Sequence, residues 1–150
     1  MKRIYYFVIV FGIITSAFYS EINAQLYDFS LGLRIPYLGV TGKYFLTKNQ
    51  NIEGMVTSFY SNGIVFTGLY EWNAPAFDVD GMKWYYGVGG HLRMWDREAG
   101  LGIDGVIGLE YIIPSIPLNV SIDWKPAFDI ITDPGFYFDD LGISVRYIFK

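Results

Sequence analysis

The stretch DDLGISVRYIF, Asp139 to Phe149, shows the pattern that decides the fold. Apolar and small or polar side chains alternate along it with a period of two, which is typical of a β-strand with one apolar face. A long terminal strand with a free edge invites aggregation, and closing a barrel removes that edge because the last strand pairs with the first. The stretch therefore predicts a closed barrel. Its apolar face carries Leu141, Ile143, Val145, Tyr147 and Phe149.

Seven earlier segments alternate in the same way, and no helical period of 3.6 residues follows residue 24. Asn62-Gly63 is a strong hairpin signal between two of them. The count predicts an all-β chain, an eight-stranded antiparallel up-and-down transmembrane β-barrel whose strands of about nine to eleven residues suit a tilted bilayer crossing. Residues 126–138 are expected to form the longest loop. The seven segments are 26–35, 38–46, 52–59, 64–72, 83–95, 101–112 and 118–125.

The start of the chain predicts a secretory signal peptide over residues 1–24, followed by a barrel domain over residues 25–150. A short basic start precedes an apolar run and a small residue at Ala24; an uncleaved membrane anchor is the alternative. The remaining chain carries nine Lys and Arg against fourteen Asp and Glu, which argues against nucleic acid as a partner. It contains no cysteine, which excludes disulfides and thiolate metal sites.

The two faces of the predicted strands differ sharply in charge. One face is almost wholly apolar, and the other holds nearly every strand charge, the reverse of a soluble lipocalin-type barrel. Both faces are satisfied if the apolar face contacts lipid and the charged face lines a lumen plugged by paired charges. The charges must be paired because unpaired buried charges are costly. On this interpretation Val120→Arg, on the lipid face, lowers the stability of the barrel by about 2–4 kcal/mol. Ser121→Arg, on the lumen face, has a smaller effect if the lumen has space. The predicted lumen network is Asp28, Arg34, Lys43, Glu53, Glu71, His91, Arg93, Asp104, Glu110, Asp123, Lys125 and Arg146.

Aromatic residues of the apolar face gather toward the barrel end that holds both termini. This distribution is typical of the aromatic belt at a membrane interface, although strands favour aromatic residues in general. The predicted girdle is Tyr44, Tyr70, Trp72, Trp84, Tyr86 and Tyr111.

The ending Tyr147-Ile148-Phe149, with its preceding apolar positions, resembles the C-terminal signal of Gram-negative outer-membrane barrels, except that Lys150 follows the aromatic. The chain resembles small OmpA/OmpX-type barrels, and TGLYEW (67–72), WYYGVGGH (84–91) and DGVIGLEY (104–111) are similar to stretches of uncharacterised outer-membrane β-barrel domain proteins. The resemblance implies a cell outer-membrane location, with outer-membrane lipid and the barrel assembly machinery as partners. It implies no cofactor, and we expect a monomer.

Three functions stay open at this point: a structural or interaction barrel, a binder of a small ligand or a narrow channel, and a lipid-modifying enzyme. The resemblance brings in the third, because lipid A palmitoyltransferase and deacylase barrels use a His with a Ser and a carboxylate. The only histidine, His91, has no Ser beside it on its strand, so a structural histidine and no enzyme activity are expected. A metal site is also not expected. Calcium is the ion considered for Asp78, Asp80, Asp139 and Asp140, but no twelve-residue calcium-loop pattern supports it and solvated turns are the default interpretation.

Overall fold

The computed structural model describes residues 29–59, 63–132 and 134–149. These residues are built from β-strands, and none of them belongs to a helix long and apolar enough to cross a membrane. The predicted signal peptide lies outside the described residues. The strands are β1 (Phe29–Ile35), β2 (Gly39–Phe45), β3 (Gln50–Phe59), β4 (Gly63–Pro75), β5 (Met82–Trp95), β6 (Glu98–Ile112), β7 (Leu118–Trp124), β8 (Ala127–Ile131), β9 (Gly135–Tyr137) and β10 (Leu141–Phe149).

Eight strands close into an antiparallel barrel. β1 to β7 pair in chain order, and β10 pairs with β7 on one side and with β1 on the other. The closing register sets Phe29 opposite Phe149 and Ile35 opposite Ile143. Since the last strand completes the barrel, its backbone groups bond on both sides. The predicted eight-stranded, all-β closed barrel is confirmed.

The segment predicted as the longest loop instead contains a short hairpin, β8 and β9. β8 pairs with Leu101 to Asp104, in the first half of β6, where β7 no longer runs beside it. Phe128 and Phe136 lie opposite each other across the hairpin, with ring centroids 4.5 Å apart. Strands of five and three residues give too little alternation for the sequence to reveal them.

Strand length varies more than the expected nine to eleven residues. β1, β2 and β7 have seven residues each, whereas β4, β5 and β6 have 13, 14 and 15. We call the end that holds the start of β1 and the end of β10 the lower end, and the opposite end the upper end. The wall is therefore tall along β4–β6 and short along β1 and β2, which leaves an uneven upper rim.

The two faces of the barrel wall separate apolar from charged side chains. Ile122 and Trp124 point outward and are 49% and 41% exposed, whereas Asp123 between them and Lys125 beside them are buried. Few apolar side chains are buried inside the barrel, and their largest cluster consists of Met55, Leu69, Tyr85 and Val106. This polarity is the opposite of a soluble protein, in which large apolar side chains fill the interior. The predicted charged interior is confirmed.

The residues of the predicted assembly signal lie on the outer face of β10. Leu141, Ile143, Val145 and Phe149 are exposed and Tyr147 is half-buried. The predicted girdle residues lie in the lower parts of their strands, and Trp72 stacks on its cross-strand neighbour Tyr86 at 5.7 Å. Whether either set meets a membrane or an assembly factor stays a prediction.

Candidate functional site

The lower half of the lumen contains a cluster of five charged side chains, Lys43, Glu53, Glu71, Glu110 and Arg146, each fully buried. We call this set the lower cluster. The ammonium of Lys43 on β2 lies 2.9 Å from a Glu71 oxygen, 3.7 Å from Glu110 and 3.8 Å from Glu53. Lys43 therefore joins strands β3, β4 and β6 across the interior. Such a geometry repays part of the cost of removing these charges from water.

Arg146 brings the last strand into the same cluster. Its guanidinium pairs with Glu53 on β3, lies 3.7 Å from Glu110 on β6, and donates a 2.9 Å hydrogen bond to Ser121 on β7. Its Nε also donates to the Thr41 hydroxyl on β2 at 3.3 Å. One side chain thus connects β10 to four other barrel strands, because a guanidinium carries several donors in a fixed fork.

Tyr85 is a buried member of the lumen that the sequence did not single out. Its hydroxyl donates to Asp123 at 2.6 Å, and the Lys43 ammonium lies 3.7 Å from its ring centroid. A Cβ at Gly108 would lie 2.5 Å from Cζ of the Tyr85 ring, so glycine leaves the space that the phenol occupies. The sequence did offer one signal: Tyr85 lies two residues before Gly87, on the inward side of the alternation.

A second group links the middle of the lumen to the upper end. Arg34, only 1% exposed, lies 2.8 Å from Asp123 and 2.8 Å from Asp140. A Cβ at Gly142 would overlap the Arg34 guanidinium, so this glycine makes room for it. Arg34 therefore ties β1 to β7 and to the residue that precedes β10.

The upper cluster is built around His91. Its Nδ1 lies 2.9 Å from Asp104 on β6, and its Nε2 lies 2.8 Å from Asp129 on β8. Arg93 lies 3.0 Å from the other oxygen of Asp129. Lys125 lies 3.4 Å from Asp104. Nδ1 shares a hydrogen bond with Asp104, whereas Nε2 lies close to Asp129 without hydrogen-bond geometry.

The structure brings together eleven of the twelve residues predicted for the lumen, all buried, and the twelfth, Asp28, lies outside the described residues. Sequence reasoning missed Tyr85 and Asp129, and it considered Asp140 only as a turn residue. Asp129 was missed because the hairpin that carries it was taken as a loop. Its neighbours Phe128 and Ile130 point outward, so the alternation was present but very short.

The four acids considered for calcium do not meet. Asp78 and Asp80 belong to the lower loop between β4 and β5, whereas Asp139 and Asp140 precede β10 at the upper end. Among residues 29–59, 63–132 and 134–149, no three His, Cys, Asp or Glu side chains are grouped so as to hold a metal ion.

The lumen changes character along its axis. In the lower half the charged side chains fill the interior, and Ser121 is 1% exposed beside Arg146. The space assumed for a mild Ser121→Arg change is therefore not there, because a second guanidinium would overlap and repel the first. At the upper end a cavity of about 140 Å³ extends down to His91, Arg93 and Lys125.

Comparison with known proteins places the chain in no family. No protein-family model matches the sequence, and the search of curated proteins also finds no match. The geometry of the barrel therefore supplies the functional argument by itself.

Proposed function

We propose that the chain is an integral outer-membrane β-barrel with a structural or interaction role, held together by a core of paired charges. The observation that carries this proposal is the polarity of the wall, apolar outside and ionic inside. Only helices and closed barrels satisfy all backbone hydrogen bonds within lipid. A closed barrel with this polarity therefore suits a bilayer, whereas in water it would expose a large apolar surface.

The height of the apolar wall on its tall side, along β4–β6, supports the same proposal. Outward residues run along β5 from Trp84 to Met94, both exposed. Ten residue-to-residue steps at a rise of about 3.3 Å, tilted by about 40°, cover roughly 25 Å. That height matches the apolar band of outer-membrane barrels, which is about 25 Å tall. The lower aromatic residues would then lie at one interface.

The filled lower lumen favours a structural or interaction role over transport. The lower cluster crosses the interior with fully buried side chains, so a hydrated path would need several ion pairs to separate. Separating one leaves an uncompensated buried charge, which costs several kcal/mol. No enzymatic step is proposed, since His91 is buried and each of its ring nitrogens lies beside a carboxylate. The partners we propose are outer-membrane lipid and, during insertion, the assembly machinery that binds the apolar face of β10.

Three measurements on the full-length protein, expressed in a Gram-negative bacterium, test this proposal. We expect the protein in the outer-membrane fraction, migrating differently on gels before and after boiling, because a folded barrel resists detergent until it is heated. We also expect no discrete ion conductance when the purified barrel is placed in a planar bilayer. A fraction that stays soluble after lysis would contradict the membrane assignment, and steady single-channel steps would contradict the plug.

A further inference from the structure

The cavity at the upper end has walls from both sides of the barrel. Tyr37, in the turn between β1 and β2, lines one side, and Tyr137 of β9 lines the opposite hairpin side. The rest of its lining comes from β3, β4, β5, β6 and β8 and from the two ends of the segment between β7 and β10. Its volume of about 140 Å³ is roughly ten times the minimum that one ordered water needs. A small polar molecule therefore has room there.

Charges of both signs line this cavity. Lys125 lies 3.1 Å from Asp140, and both side chains keep some exposure, 9% and 19%. Arg93 is 10% exposed at its side chain and packs 4.6 Å from the Tyr137 ring centroid. Asp139 is exposed and accepts a 3.2 Å hydrogen bond from the Tyr37 hydroxyl. Arg93 and Lys125 thus line the hairpin side and the floor, where Asp129 and Asp104 pair with them, and Asp139 and Asp140 line the side next to β10.

A ligand with a single charge fits this lining poorly. An anion alone would approach Asp139 and Asp140, and a cation alone would approach Arg93 and Lys125. A molecule with both charges can replace the Lys125–Asp140 ion pair with two new pairs, one to each residue. Neither residue then loses its partner without gaining another. Charge-assisted hydrogen bonds of this kind are stronger than neutral ones and set orientation.

We propose that the cavity binds a small zwitterion, with an oxyanion at Lys125 and Arg93 and an ammonium group at Asp139 and Asp140. Phosphoethanolamine has this chemistry, whether it is the headgroup of a phospholipid or a free molecule. The assignment rests on the cavity and its charges, so it holds whether or not the barrel lies in a membrane.

The test is titration calorimetry of the whole folded barrel domain, residues 25–150, in a neutral detergent, with phosphoethanolamine as the probe. We expect saturable binding that weakens at least tenfold in Lys125→Gln, with ethanolamine alone and phosphate alone binding at least tenfold more weakly than the zwitterion. Lys48→Gln, an exposed change in the lower turn between β2 and β3, should bind as the parent does.

A second variant, Asp139→Asn, guards against loss of folding, because this exposed carboxylate contacts only the rim of the lumen. It should weaken phosphoethanolamine at least fivefold and leave phosphate binding unchanged. Lack of saturable binding by the parent, or equal affinity of parent, Lys125→Gln and Asp139→Asn, would overturn the proposal. Failure here would leave the membrane assignment intact, since gel migration and fractionation do not depend on the cavity.

Bilayer discs identify the source of the zwitterion. If free phosphoethanolamine binds more weakly in discs of phosphatidylethanolamine than in discs of phosphatidylglycerol, the lipid headgroup occupies the cavity. Equal affinity in both discs assigns the cavity to a free solute. Either result supports the site, because both require the saturable binding measured in detergent.

Discussion

Replacing Arg146 by methionine should destabilise the barrel by about 3–5 kcal/mol, the usual cost of removing one partner from a buried ion pair. Arg146 is fully buried, and its loss leaves the carboxylates of Glu53, Glu71 and Glu110 to share the charge of Lys43. Methionine keeps most of the side-chain volume, so the loss reports charge rather than a cavity. Urea unfolding in lipid vesicles, followed by tryptophan fluorescence, measures the free energy.

The matched control is Arg97→Met, which removes the same charge from an exposed turn between β5 and β6. It should change the free energy of unfolding by no more than about 0.5 kcal/mol. Adding Glu53→Gln to Arg146→Met should recover part of the loss, because it removes one of the stranded carboxylates. An Arg146→Met barrel within about 1 kcal/mol of the parent would show that the lower cluster does not hold the strands together.

Replacing Val120 by arginine should cost about 2–4 kcal/mol in a bilayer, because a charge on the lipid face is most costly near the midplane. Val120 lies on the outer face of β7, paired with Tyr111 on β6 and with Val145 on β10. If this face met water, an exposed valine could become arginine with a change within about 0.5 kcal/mol. The same vesicle unfolding experiment measures the difference.

Ile35→Arg provides the depth control for this prediction. Ile35 is also exposed on the outer face, but it ends β1 at the upper rim. Near the interface the cost falls to about 0–1 kcal/mol. Equal small effects at Val120 and Ile35 would place both in water, whereas a clear difference between them fits a bilayer of limited thickness.

The barrel and its polarity were predictable because they depend on a period of two. A shift of one residue would exchange every inward and outward side chain, so Arg146 and its apolar neighbours Val145 and Tyr147 assign the two faces of β10 from the sequence alone. The same parity correctly placed Lys43, Glu53 and Glu110 on the inner side. Fold class therefore follows from local alternation.

The ends of strands and the contacts across the lumen were not predictable in this way. The gap between the predicted segments 83–95 and 101–112 already belongs to the β5–β6 ladder, in which Glu98 pairs with Trp95. Polar residues can continue a ladder beyond the apolar band, so composition does not mark where pairing stops. The pairing of Arg34 with Asp140, 106 residues later in the chain, depends on closure and register. The alternation of side chains within a strand carries no information on such a pairing.

The central claim is that the apolar outer face lies in lipid, and a spin label at residue 145 tests it most directly. The chain has no cysteine, so Val145→Cys gives a single attachment site on the outer face of β10. In vesicles we predict frequent collisions of the label with oxygen, which dissolves in lipid, and few with a water-soluble nickel chelate. A label at Lys48→Cys, in the lower turn, should show the reverse. Nickel access at residue 145 equal to that at residue 48 would contradict the account.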